Sequence, residues 1–259
     1  MDIASVRNPP EVIAARAAAI RAALLRDSPH IRQPNFERIA AEDLEHLFDL
    51  YDRQFFDGWL RQAVKARTPV PLTFRVSRTM TRAGGKTILH RRRRPGGEWR
   101  TEYEIAIASR MLFMTFGRID RPVTVGGLPC ADRLEALQRI VEHELVHLIE
   151  LVVWGRSSCR AGRFKALAAN LFGHAGTTHA LVTPREEAAV RHGIAPGGRV
   201  EFEYEGRRLV GKVNRVHRRA TVLVDAPNGR PYTDGGRYAK FYVPLAMLRP
   251  VEERLEVRG

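Results

Sequence analysis

Residues 132–155 read DRLEALQRIVEHELVHLIELVVWG, and this stretch decides the fold. Asp132 with Glu135 three residues later is a helix-opening pair, and Gly155 is a helix stop. Between them Leu134, Leu137, Val141, Leu145, Leu148 and Val152 recur at helical spacing. From Leu145 onward the segment is almost wholly apolar, so the helix is expected to run through the centre of its domain. Yet its middle carries His143, Glu144 and His147, the pattern H-E-x-x-H. Residues four apart on a helix stand one above the other, so both imidazoles can reach one metal ion at about 2.0 to 2.1 Å. Glu144 then lies beside the metal, where a carboxylate serves as a general base rather than a ligand. The plain alternative is a satisfied polar pocket without metal, but two imidazoles and a carboxylate are costly to desolvate in such a helix without compensation.

A catalytic zinc needs a third protein ligand and an open position. Cys130 lies thirteen residues before His143, about 20 Å away along a helix and its approach; it reads as a buried hydrophobe. Cys159 is better placed, because Gly155 breaks the helix and the loop GRSSC can turn back toward the histidines. His174 and His179, in FGHAGTTH, compete with it, either as the third ligand or as an oxyanion-stabilising group. Glu150, one turn after His147, reads as a partner of a ligand or a rim charge.

Working outward, Pro10 to Arg26 has a helical apolar period, as does AAEDLEHLFDLYDRQFFDGWL, which Gly58 can stop. LTFRVS, KTILHR and TEYEIAIAS alternate with period two and read as a three-stranded meander. Arg91, Arg92, Arg93 and Arg94 fall between its second and third strands as a solvated hairpin tip suited to phosphate contact. Helices over Arg163 to Phe172 and from Pro184 to a stop at Gly193 follow. After APGG at 195–198, short alternating segments joined by tight turns fit a small closed barrel. The expected class is therefore α+β, with a helical extension over 1–35, a main domain over 36–194 and a barrel over 195–259.

The chain has 259 residues, with 44% hydrophobic and 28% charged, which excludes disordered and fibrous classes. Two cysteines make no disulfide framework, and charges at Asp2, Arg7 and Glu11 without a long apolar run argue against a signal peptide or membrane span. A cytoplasmic protein is expected. The excess of 43 Lys+Arg over 29 Asp+Glu favours polyanionic partners, although an arginine-rich chain is also basic without binding anything specifically.

LYDRQFFDGWL at 50–60, HELVH, and RFKALAANLFGH at 163–174 together resemble the SprT-like zinc metalloprotease family, over about residues 40 to 180. The chain departs from it at Arg160 and Ala161, where many members carry a His-Gly pair, with Cys159 the nearest substitute ligand; many members also end in a zinc ribbon rather than an SH3-like barrel. The resemblance implies a zincin fold, Zn2+ and hydrolysis of peptide bonds by Glu144, with His143 and His147 on the metal; Cys159, in competition with His174 and His179, is the expected third ligand. It also implies a protein substrate, as some members act on proteins crosslinked to DNA. The competing expectation is a nucleic-acid-binding protein with a structural or vestigial zinc. Its contacts would be Arg91 to Arg94 and, on the barrel, Arg207, Arg208, Lys212, Arg215, Arg218 and Arg219 beside Phe202, Tyr204, Phe241 and Tyr242, rings that either stack on bases or fill the barrel core. A third expectation is a barrel that binds a protein partner and delivers the protease to it.

Overall fold

The computed structural model describes residues 2–93, 97, 99–117, 119, 121–217 and 219–251. It is a mixed α+β structure of two compact units that divide at Leu181 and Val182.

In the first unit, α1 (Pro10–Asp27) begins on a proline that needs no backbone N–H there, and it buries Ile13, Ile20 and Leu24. These side chains belong to the same apolar cluster as α2 (Ala41–Phe56) and the central helix, so α1 is packed into the core of this unit. Arg21 fixes that helix through two hydrogen bonds to Asp132, at 3.0 and 2.6 Å. Helix α2 ends with Asp57 in the left-handed region, and Gly58, at φ 76°, turns the chain into α3 (Trp59–Arg67).

Three strands follow: β1 (Thr73–Ser77), β2 (Gly85–Arg93) and β3 (Trp99–Ala108). They do not form the expected meander. The order is β1-β3-β2, with β1 parallel to β3 and β2 antiparallel to it at the edge. The reason lies in β3, where Ile105 and Ile107 are buried on one face and the small Ala106 and Ala108 on the other. A strand buried on both faces takes the central place. The arginine run is also placed differently: Arg91, Arg92 and Arg93 are ladder residues of β2, exposed and opposite Thr101, Arg100 and Trp99, rather than a turn. Arg94 lies outside the described residues.

After α4 (Ser109–Met114) and a two-residue ribbon of β4 (Thr124–Val125) and β5 (Leu128–Pro129) comes α5 (Arg133–Trp154). Asp132 caps it by accepting the Glu135 N–H at 3.0 Å, and Gly155, at φ 70°, ends it. Its apolar stripe is buried throughout, each fully buried leucine being worth roughly 1.5–3 kcal/mol of burial. Helix α6 (Gly162–Phe172) packs against it and ends at Gly173.

The second unit opens with α7 (Pro184–His192), capped by Thr183, whose hydroxyl accepts the Glu186 N–H at 3.2 Å. Strands β6 (Arg199–Tyr204), β7 (Arg207–Val216), β8 (Arg219–Pro231), β9 (Arg237–Pro244) and β10 (Arg249–Pro250) form one antiparallel sheet in the order β10-β6-β7-β8-β9. Val200, Phe202, Val213, Val222 and Val243 fill its inner face. Ala188 of α7 and Ile194 share that core, so the division falls a helix earlier than the expected boundary near Ala195.

Candidate metal centre

Helix α5 presents His143 and His147 one turn apart, with ring centroids 4.9 Å from each other. Phe164 of α6 packs against both rings, at 4.8 and 4.5 Å, and so limits their rotation. The left-handed turn at Gly155 sends the following loop back over this face and brings in Cys159. The ligand atoms of His143, His147 and Cys159 all lie within 4.8 Å of one another. Tetrahedral zinc with N and S ligands needs them about 3.3–3.8 Å apart, a small inward adjustment. Among the described residues, His174 and His179 do not join this group.

The tautomer of His147 is set by its neighbours. Glu150 is fully buried, and its carboxylate accepts from the Ser157 hydroxyl at 2.6 Å and from Arg163 Nε at 2.6 Å. Having donated its proton to Glu150, Ser157 Oγ is an acceptor toward His147 Nδ1, 2.6 Å away. Nδ1 therefore carries the hydrogen and Nε2 keeps a free lone pair, the arrangement a metal-binding imidazole requires. Arg163 is itself stacked over Trp154 at 4.3 Å. Burial pushes His143 down to about 3, neighbouring imidazoles adding to the effect, and burial also lowers His147. Both rings are thus neutral near pH 7. Two free imidazole lone pairs and a thiol in reach of one point fit a borderline-soft divalent ion such as zinc.

Glu144 faces β2. Its Oε2 lies 2.8 Å from the Thr87 hydroxyl, and the carboxylate lies so close to Gly85 that a Cβ there would stand 2.7 Å from Oε1. Only glycine leaves room for it. Burial raises this carboxyl to about 7, against the lowering effect of Thr87. The three donors and Glu144 open into a cleft of about 610 Å³ whose walls include Leu89, Val125, Ile140 and Leu151.

His174 is buried elsewhere. Its Nε2 is 2.7 Å from Glu142 Oε2, while Tyr51 donates to Glu142 Oε1 at 2.7 Å and Arg139 reaches both carboxylate oxygens at 3.0 Å. Neither of the expected roles for His174 fits that position, because its ring lies outside the ligand group and is not part of the cleft wall. His179 does line the cleft, but its ring nitrogens both face backbone donors, Nε2 the Gly84 N–H at 3.1 Å and Nδ1 the Leu181 N–H at 3.4 Å, and neither joins the ligand group. Cys130 is buried and its thiol is pushed up to about 12 by burial, as suits a packing residue. Arg215 and Arg219 are exposed strand residues of the second unit, and Arg218 lies outside the described residues.

Sequence reasoning missed Thr87 and Gly85, which reach Glu144 across the sheet, and Ser157 and Glu142. Glu142 had a signal, being an acidic residue inside a buried stripe immediately before the motif; Gly85 and Thr87 had none, since only the tertiary approach of β2 to α5 gives them a role.

Comparisons with protein-family models, curated proteins and solved structures returned no match. Among the described residues no helix is long and apolar enough to cross a membrane.

Proposed function

We propose that the chain is a zinc-dependent hydrolase of peptide bonds, with a zincin-like first unit and an SH3-like second unit, as its resemblance to the SprT-like family implies. The observation that carries this reading is the convergence of His143, His147 and Cys159 beside a buried Glu144 at the wall of an open cleft. A structural zinc site closes with four protein ligands, whereas three such groups converge here among the described residues. When bound, zinc supplies Lewis acidity at the scissile carbonyl and acidifies water toward a pKa of about 7.

The chain's own groups do the rest. Glu144, as the carboxylate, takes a proton from the attacking water and returns it to the leaving amine. Thr87 holds Oε2, and Gly85 lets the carboxylate lie against the strand. Ser157 and Glu150 hold His147 in its metal-binding tautomer. Strand β2 has β3 on one side and no strand on the other among the described residues, so its free edge can pair with an extended substrate segment passing the cleft. The apolar walls favour a large hydrophobic side chain beside the cleaved bond.

Glu144→Gln tests the mechanism. It should keep the metal and lose cleavage of an unfolded protein substrate by about 10²- to 10⁴-fold; undiminished cleavage would end this reading.

A further inference from the structure

The sheet of the second unit has an outer face that its core does not explain. Val200, Val213, Val222 and Val243 point inward, so the residues alternating with them point outward. The strand registers bring these outward residues into rows. One row runs Arg199, Lys212, Leu223 and Lys240 across β6, β7, β8 and β9, with Leu223 buried between its charged neighbours, and the next runs Arg215, Thr221 and Tyr242 across β7, β8 and β9. Arg219 stands two residues before Thr221 on the same face, opposite Pro244.

Arg199, Lys212, Arg215, Arg219 and Lys240 are all exposed, and none is in an ion pair with a described residue. The contrast with the adjoining row is informative, because Glu201 there is paired with Arg208. Arg199 and Lys212 are direct cross-strand neighbours, about 5 Å apart, so these two unneutralised cations repel each other, and the other three add positive charge on the same face. Tyr242 lies among them, 64% exposed, whereas Phe202 is buried and the half-buried Phe241 packs against Phe202 at 5.4 Å and Tyr204 at 5.1 Å. Tyr242 is thus presented to solvent among positive charges, whereas Phe202 and Phe241 belong to the core and Tyr204 leans on Phe241.

We propose that this face binds single-stranded nucleic acid, its phosphates held by Arg199, Lys212, Arg215, Arg219 and Lys240 and a base stacked on Tyr242. Phosphate neutralisation relieves the mutual repulsion and releases counterions, and a base has an apolar face that matches an exposed ring. An acidic peptide would satisfy the charges but leave the ring without a partner. Duplex bases are stacked on each other and unavailable to Tyr242, so the single strand is the form that uses both features. The proposal rests on the second unit alone and stands independently of peptide hydrolysis.

The test is fluorescence anisotropy of a labelled oligothymidylate titrated with the full chain at several salt concentrations. Affinity should fall as salt rises, with a slope in log units of about 0.7 for each phosphate contacted. Lys212→Gln with Lys240→Gln should weaken binding at least tenfold and flatten that slope by about 1.4. Tyr242→Ala should weaken it about tenfold, with Tyr242→Phe restoring it. The metal content and peptide cleavage of these variants should match the parent chain, which separates failure of this proposal from failure of the hydrolase reading. Absence of binding, binding indifferent to the two glutamines, or equally tight binding of poly-glutamate would overturn the proposal. Full affinity in Tyr242→Ala would overturn the assigned stacking. Circular dichroism of each variant confirms that the exposed substitutions leave the sheet folded.

Discussion

Glu144 is a carboxylate held where charge is disfavoured. Burial raises it from its ordinary 4.5 to about 7, so the metal-free fold prefers the protonated form. The sign follows from linkage: the stabilisation is complete below about 4.5 and is lost as pH rises through about 7. His143, pushed down to about 3, acts in the opposite sense, its stabilisation being lost as pH falls below the ordinary 6.5. Comparison with Glu144→Gln cancels the histidines. In metal-free protein the variant should gain about 2–3 kcal/mol over the parent between pH 5 and pH 8, read by urea unfolding at each pH; a constant difference would mean that the carboxyl is not desolvated. Gly85→Ala belongs to the same scale. Its Cβ would stand 2.7 Å from the Glu144 carboxylate, so cleavage should fall by at least tenfold while metal content stays unchanged, as chelator titration beside a peptide assay would show. The H-E-x-x-H spacing made His143, Glu144 and His147 legible in the sequence, because helical periodicity fixes which residues share a face. It left Gly85 and Thr87 silent, because their roles arise from a strand about 60 residues away.

Elements bring these residues together, and their boundaries were easier to read than their neighbours. Asp132, Gly155, Gly173, Thr183 and Gly193 all mark helix ends through local chemistry, capping side chains or left-handed turns, which a sequence carries openly. Strand pairing is not local. Alternation marks residues 72–77, 86–91 and 101–109 as extended, but it does not show that β3 lies between β1 and β2 or that β2 runs on through Arg93. The small Ala106 and Ala108 hid the second buried face of β3. At this scale the loop after α5 carries a prediction. Ser157 joins His147 to Glu150, so Ser157→Ala should weaken zinc binding about 10- to 100-fold without unfolding the chain. A competition titration against a chromophoric chelator reads this, and unchanged affinity would show that the hydroxyl does not set the tautomer.

The molecule as a whole divides its chemistry between its two units. All three candidate ligands and Glu144 precede Leu181, while the exposed cationic face of the sheet follows Val182. A chain ended at Leu181 should therefore retain one zinc per molecule and peptide cleavage, as judged by metal analysis and the same assay. Loss of metal from a folded truncated chain would show that the second unit contributes to the centre. The division was only partly legible, because APGG marks a turn conspicuously whereas the membership of α7 depends on where Ala188 packs. The central claim is met most directly by metal analysis of the full chain beside Cys159→Ala and His174→Ala. The parent and folded His174→Ala should each hold one zinc per chain and Cys159→Ala should lose it; a metal-free parent, or full zinc without the Cys159 thiol, would overturn the assigned ligand set.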